Sequence, residues 1–276
     1  MFLFAHLYGI ISAVIDMKKI VFIDVDGTIY KSHQTLIDES ISEALKELSE
    51  HADIYLATGR CLSVTAPLGD ALKYFKGYVL SNGAFVVKDQ NVILNEVIKP
   101  NDLVSLIETA KTLNLNVGLI TNDLVYVNEY TQVVDLALSP YLPNSVIDLH
   151  GYQFDLTKEY NMAWCFNTKA EIAKFKAMCP AFDVFNWGEV GGDIIIKDVS
   201  KAHGIKHLLA SLNEKDIITY AIGDSNNDLE MFDLVDVAIC MQNGSPDAKM
   251  KAKYITESIY DAGFEKATKR IIEGEW

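Results

Sequence analysis

The sequence predicts an α/β protein: a parallel sheet flanked by helices, interrupted by an inserted α+β module. Three observations carry this. Short, mostly apolar runs at 20–23, 53–57 and 217–222 are the strand type that a parallel sheet buries on both faces. Amphipathic helical stretches alternate with those runs, as βαβ units require. Between about residues 84 and 197 that alternation gives way to hairpin signals mixed with helices.

In chain order, residues 20–23 run straight into Asp24, Val25, Asp26 and Gly27. Ligands of open α/β sheets bind beyond the carboxyl ends of the strands, so two acids stand where such a protein places chemistry. An extended backbone points Asp24 and Asp26 to the same side, and Gly27 permits the turn that follows. The same residues are also ordinary turn chemistry. Ile37, Ile41, Ala44, Leu45 and Leu48 then recur at helical spacing. A strand at 53–57 ends in Thr58-Gly59-Arg60, and a helix is expected from there to about Leu72. Its N–H groups would make a small anion cradle, though a plain helix cap reads equally well. A third strand at 78–80 ends at Ser81-Asn82-Gly83.

The insert begins with a hairpin, 84–87 and 92–94, turning at Asp89-Gln90-Asn91. Pro100 opens a helix to about Leu113. Strands at 116–121 and 125–128 follow. Residues 130–160, with Pro140 and Pro143, give no clear pattern. A strand at 164–167, a helix at 169–178 and strands at 182–185 and 193–197 complete the module. The α/β rhythm resumes when Ser200 caps a helix carrying Lys201. The strand at 217–222 runs into Gly223-Asp224-Ser225-Asn226-Asn227-Asp228. A helix with Leu229 and Phe232 inward, a strand at 237–239, a helix from Pro246, a strand at 254–256 and a last helix from about Phe264 close the domain. The division expected is therefore a core of 17–83 and 198–276 around an insert of 84–197.

Residues 1–16 are apolar and carry no Lys or Arg. They are too short to span a bilayer and lack the positive charge of a secretory signal. They read as an extension ahead of Met17, with a membrane anchor as the lesser alternative. The net charge of −14 argues against a nucleic-acid surface, which needs basic patches. It leaves room for an anionic substrate if a metal neutralises the site. Cys61, Cys165, Cys179 and Cys240 are scattered, as expected of reduced, buried thiols in a cytoplasmic protein.

Four polar clusters thus sit at strand ends or helix starts of one domain: Asp24 with Asp26, Thr58, Lys201, and Asp224 with Asp228. Phosphoryl transfer through a carboxylate nucleophile requires such a set. Asp24 can attack phosphorus, and Asp26 can protonate the leaving alkoxide and then take a proton from water. A hard cation, Mg²⁺, suits carboxylates and phosphate oxygens. Asp24, Asp26, Asp224 and Asp228 form its candidate set. In it Asp24 and Asp224 are the carboxylate ligands, with a backbone carbonyl near Asp26, and Asp228 orients metal water or Lys201. Thr58, Gly59, Lys201 and Asn227 are the candidate phosphate contacts.

With those residues in view, the chain resembles the haloacid dehalogenase (HAD) superfamily phosphatases, in the Cof-like branch with an inserted type IIB cap. The matching residues are Asp24-Val25-Asp26-Gly27-Thr28, Thr58-Gly59-Arg60, Lys201, and Gly223-Asp224-Ser225-Asn226-Asn227-Asp228. Ser81-Asn82-Gly83-Ala84 at the first junction also resembles this branch. The likeness covers Met17 to the C-terminus; residues 1–16 depart from it. It implies a Rossmann-like core, a mixed α/β lid and Mg²⁺-dependent hydrolysis of small phosphate monoesters: sugar phosphates, nucleotides or cofactor phosphates. The expected partner is a small phosphorylated metabolite, with no nucleic acid and no membrane. A phosphomutase of similar architecture, returning the phosphoryl group to a sugar, is the nearest rival. A receiver-like phospho-acceptor would be far shorter and needs no acid two residues past the nucleophile.

Other residues have plainer readings. His203 and His207 share a helix face, which is solvated more often than metal-bound. Arg60 is a salt-bridge former or a phosphate ligand. Asp198 is a neighbour for Lys201 or a linker carboxylate. Trp164 and Trp187 are core or substrate-stacking residues, and Gly191-Gly192 is a tight turn or a gap for substrate.

Overall fold

The computed structural model describes residues 17–141 and 154–276. The expectations for residues 1–16, and for Pro143 and its neighbours, lie outside the described residues.

The core holds one eight-stranded sheet, of order β13-β12-β11-β1-β2-β3-β4-β5. Its parallel part comprises β1 (Lys18–Ile23), β2 (Asp53–Ala57), β3 (Gly77–Leu80), β11 (Ile217–Gly223), β12 (Val237–Met241) and β13 (Tyr254–Thr256). The sheet is covered on both faces, which is why its strands are apolar without alternation. On one face Val21, Ile23, Ile54 and Leu56 pack with helix α1 (Glu39–His51) and a C-terminal helix (Gly263–Glu273). On the other, Ile20, Phe22, Tyr55 and Ala57 pack with Ile205 and Leu208. Helix α1 buries Ile41, Ala44, Leu45 and Leu48, the expected stripe.

Two expectations are corrected. The hairpin read as the start of the insert, β4 (Phe85–Lys88) and β5 (Asn91–Asn95), pairs antiparallel onto β3 and extends the core sheet. A hairpin motif reports antiparallel pairing but not which sheet receives it. The helix expected after Arg60 is absent. Leu62–Tyr74 is a 3₁₀ segment broken at Gly69 (φ 52°), with Pro67 inside. Proline removes a helical hydrogen bond, and the tighter turns tolerate this.

The second sheet is antiparallel, of order β7-β6-β8-β10-β9. Its strands are β6 (Val117–Ile120), β7 (Val125–Val127), β8 (Met162–Thr168), β9 (Phe182–Asn186) and β10 (Val190–Ile196). Helices α2 (Pro100–Thr112) and α4 (Lys169–Met178) cover one face, burying Ala163 and Cys165 of β8. The other side chains of β8, Met162, Trp164 and Phe166, pack with Cys61 and Val64 of the core and with α3 (Gln132–Leu138). Helix α3 falls in the stretch that gave no sequence pattern. All four cysteines are buried and free. Among the described residues, no helix is long and apolar enough to cross a membrane.

Candidate active site

Strand register brings the motifs together. Ile23 of β1 pairs with Ile222 of β11 on one side and with Leu56 of β2 on the other. Asp24, Asp224 and Thr58 follow those residues at the same end of the sheet. Strand order reverses at β1, because the chain leaves toward β2 and β3 and returns to β11 on the opposite side. Crevices of this kind are where open α/β sheets bind ligands.

Asp24 is 4% exposed. Its Oδ1 accepts a hydrogen bond from Lys201 Nζ at 2.6 Å, and Oδ2 accepts one from Thr28 Oγ1 at 3.3 Å. Lys201 opens helix α5 (Lys201–Ser211), capped by Ser200, and its side chain is fully buried. The same Nζ donates to Asp228 Oδ1 at 2.6 Å. Asp228 Oδ2 accepts the backbone N–H groups of Asp224 and Ser225, both at 2.9 Å. Asp228 therefore holds the 224–228 loop and Lys201 in place. Asp198, the other candidate neighbour of Lys201, has φ 66° in the linker before Ser200. Gly27 has φ 80°, and a β-carbon there would lie 2.1 Å from Asp224 Oδ2. Only glycine lets the first motif lie against the fourth.

The Asp26 carboxylate stands apart from that acidic cluster, and the metal contact expected at this position is a backbone carbonyl rather than the side chain. Arg60 binds it through two nitrogens, Nε to Oδ2 at 2.9 Å and Nη2 to Oδ1 at 2.6 Å. Arg60 is itself 4% exposed, bonds the Val64 carbonyl and lies over the Tyr30 ring. It is thus a salt-bridge former that holds Asp26. Thr58 Oγ1 accepts the Arg60 N–H, which leaves the hydroxyl proton for another acceptor. Gly59 lines the cleft. One N–H of the Asn227 amide goes to Asn82 Oδ1, at 3.0 Å.

The cleft over these residues encloses about 450 Å³. Its floor includes Asp24, Asp26 and Asp224. Its roof comes from the smaller sheet with its β9–β10 turn, from α3 and from the residues just after α3: Leu138, Tyr141, Trp164, Phe185, Trp187 and Asp193. Asp193 accepts from Asn82 Nδ2 at 2.9 Å, so the chain Asn227–Asn82–Asp193 links the fourth motif to the roof. Burial pushes Asp193 up to about 6. Sequence reasoning missed Tyr141, which sits in the unpatterned stretch, and Asn243. Asn243 bonds the Gly27 carbonyl at 2.8 Å and reaches toward Asp224 Oδ2 at 3.5 Å. Its only sequence signal is a loop position before the Ser245-Pro246 helix start. The His203 and His207 rings meet on α5 at 4.8 Å and 55°, with His203 Nε2 at 3.5 Å from Glu96, and do not line the cleft.

The cluster is short of positive charge. Oxygens of Asp24, Asp224 and Asp228 lie within 4.8 Å of one another, against the one ammonium of Lys201. Burial, then the charge of Asp24, pushes Asp224 up to about 9. Burial also pushes Asp24 up to about 7, with the Lys201 charge opposing. Lys201 itself loses to burial but gains more from Asp228 and Asp24, and is held above its ordinary value. Asp224 Oδ1 is buried and has no hydrogen-bond partner. Two uncompensated carboxylates with an orphaned hard oxygen fit a divalent oxygen-seeking cation.

Comparison with known proteins agrees with this geometry. Residues 21–267 match the family model described as haloacid dehalogenase-like hydrolase. A Bacillus subtilis (strain 168) protein named "Putative phosphatase YkrA" is 28% identical over 263 residues, spanning 92% of this chain and 98% of its own length. The 5-amino-6-(5-phospho-D-ribitylamino)uracil phosphatase YcsE of the same organism is 21% identical, spanning 92% and 96%. The solved structure of the HAD subclass IIB sugar phosphatase BT4131 superposes with a TM-score of 0.81 at 23% identity, over 92% of this chain and 99% of that one. That structural likeness bears on the fold.

Proposed function

This chain belongs to the haloacid dehalogenase-like hydrolases, and we propose that it is a Mg²⁺-dependent phosphatase of small phosphate monoesters, working through a phosphorylated Asp24. The observation that carries this reading is the buried Asp24 carboxylate, held by Lys201 beside the orphaned oxygen of Asp224. The names of YkrA, YcsE and BT4131 support the phosphatase reading, and two of those names specify a ribitylaminouracil phosphate and sugar phosphates.

Asp24 and Asp224 would hold the cation, with Asp228 behind them. When bound, it neutralises the carboxylates and the phosphate and draws charge from a phosphoryl oxygen. Lys201 fixes the Asp24 carboxylate and sets a positive charge beside it, so that its free lone pair faces an incoming phosphorus. Attack forms the Asp24 oxygen–phosphorus bond and breaks the ester bond. Asp26 delivers a proton to the departing alkoxide, then accepts one from the water that hydrolyses the acyl phosphate. Protonated Asp26 must let go of at least one Arg60 contact, so Arg60 sets when the acid is available. Thr58 and Gly59 contact the phosphoryl oxygens at the floor. The smaller sheet forms the cap over the cleft, and its roof side chains meet the leaving group.

The test is release of free phosphate from a generic aryl phosphate with added Mg²⁺. The wild type should turn over, and Asp24→Asn should lose on the order of 10⁴-fold or more in kcat with its melting transition intact. Hydrolysis retained in Asp24→Asn would remove Asp24 as nucleophile.

A further inference from the structure

We propose that Asn82 is a positioning residue for phosphoryl transfer: its side-chain amide takes its orientation from Asp193 and hands that orientation to Asn227, so that an Asn227 N–H is presented to the phosphate. The inference rests on the phosphatase reading above and assigns a residue that works through a phosphate contact.

The first argument is place. Ser81–Gly83 is a tight turn after β3 in which Asn82 has φ 50° and ψ 35°, a left-handed conformation that asparagine tolerates. Asn82 is 1% exposed. The backbone N–H groups of Ser81 and Asn82 donate to the carbonyls of Arg60 and Thr58, both at 3.0 Å, which ties the turn to the second motif. A β-carbon at Gly83 would lie 1.9 Å from the Ser200 carbonyl oxygen, so the same turn rests on the start of the helix that carries Lys201. A β-carbon at Gly59 would lie 3.0 Å from Asn82 Nδ2 and 3.1 Å from Asp193 Oδ2, so that glycine leaves room for the pair. The second and third motifs therefore meet the cap at one buried amide.

The second argument is direction. A carboxylate accepts hydrogen bonds and cannot donate them. Asp193 therefore takes the NH₂ end of Asn82, Nδ2 to Oδ2 at 2.9 Å. Burial raises Asp193 to about 6; the hydrogen bonds from Asn82 and Trp187 and the charge of Lys201 oppose this, and the charge of Asp26 adds to it. Above that pH it is an acceptor only. With its NH₂ committed there, Asn82 turns its oxygen to Asn227, which must answer with its own NH₂, Nδ2 to Oδ1 at 3.0 Å. Ser225 Oγ donates to Asn227 Oδ1 at 2.6 Å and fixes the same orientation from the other end. One Asn227 N–H is thus used, and the other is available to the cleft that Asn227 lines. Flipping either amide would set two acceptors or two donors face to face, which is costly in a buried chain.

The test uses the full-length protein with Mg²⁺. It reads free-phosphate release from a generic aryl phosphate, and binding of inorganic phosphate by calorimetry. Asn82→Asp keeps the side-chain size and the left-handed backbone but sets a second carboxylate against Asp193, and such a pair needs a shared proton. Relative to wild type, kcat/KM and phosphate affinity should fall about 10–100-fold above a pH of about 6, and the loss should shrink as pH falls. Combining Asn82→Asp with Asp193→Asn puts a donor back between the two positions, because the amide now at 193 can donate to the carboxylate now at 82, which still accepts from Asn227. The exchange should return both quantities to within about threefold of wild type and remove the pH dependence of the loss. Asn82→Gly keeps the backbone and deletes the amide, so its loss should be present at every pH. A loss in Asn82→Asp that ignores pH and persists in the exchange would make Asn82 a packing residue and overturn the proposal, as would wild-type phosphate affinity in Asn82→Gly. If no ester is hydrolysed but phosphate binding shows the same loss and rescue, the phosphatase reading fails and the positioning role stands. If the aryl phosphate is hydrolysed and Asn82→Gly binds phosphate as the wild type does, the positioning role fails alone.

Discussion

The two sheets face the same cleft but contribute to it in different ways. The parallel sheet supplies charged and hydroxylic side chains from strand ends, each fixed by backbone bonds or by a second buried charge. Asp24, Lys201, Asp224 and Asp228 form one network with little freedom. The antiparallel sheet supplies rings and the buried carboxylate of Asp193 to the roof of the cleft. The difference separates two tasks. On the function proposed above, chemistry would belong to the core, where removing a group should harm every substrate alike, and choice to the cap, where a change should alter ratios among substrates.

The strongest way to break this division is Lys201→Met. Removing one partner of a buried charge network leaves the others uncompensated. We expect kcat/KM to fall on the order of 10²–10³-fold on every ester, and the metal-free protein to lose about 3–5 kcal/mol in denaturant titration. A variant that spared one class of ester would place choice in the core and refute the division.

Chelation sharpens the comparison next. Asp24 and Asp224 are raised from 3.8 to about 7 and about 9 in the metal-free fold. The folded state therefore holds more protons than the unfolded chain between those values. Metal-free stability should therefore fall as pH rises from above 3.8, most steeply up to about 7, less steeply from there to about 9, and level off beyond. Saturating Mg²⁺ should raise the melting temperature and flatten that slope, read by scanning calorimetry with and without chelator. An identical slope in both would mean that these carboxylates hold no cation.

Asp193→Asn isolates the cap. Burial holds the carboxyl up at about 6, so its native-state cost is paid above that pH and vanishes below 3.8. The amide carries no such cost and can keep the Asn82 bond. The variant should be more stable than wild type by roughly 1–3 kcal/mol at pH 8, with the difference shrinking toward pH 4. A loss of stability at pH 8 would make Asp193 a structural tie. The smallest effect is expected at His203→Ala, which should stay within about 0.5 kcal/mol with unchanged kinetics. A large kinetic change there would extend the site along α5.

The same contrast explains what could be read from the chain beforehand. Core motifs are local: Asp24-Val25-Asp26-Gly27 and the 223–228 loop each lie within a few residues of a buried strand, and a parallel sheet forces strand ends together. The 20–23 run and the α1 stripe are one-dimensional signals of burial. The cap side is assembled from residues far apart in sequence. Tyr141, Trp164, Phe185 and Trp187 come from three segments, and period-2 alternation does not say which face of an isolated sheet meets the cleft. The β4–β5 hairpin was ambiguous for a related reason, since its pairing partner is nonlocal. Arg60 beside Thr58 was visible in sequence, but its pairing with Asp26 depends on the 3₁₀ path after Cys61, which replaces the expected helix.

The central claim is that Asp24 becomes phosphorylated during turnover. The most direct measurement is rapid acid quench of the Mg²⁺-loaded protein with a turning-over ester, followed by peptide mass spectrometry. The account predicts one phosphoryl group on the peptide carrying Asp24, labile to hydroxylamine and absent in Asp24→Asn. A phosphoryl group on any other residue, or turnover with no phosphorylated peptide under conditions that slow the second step, would contradict it.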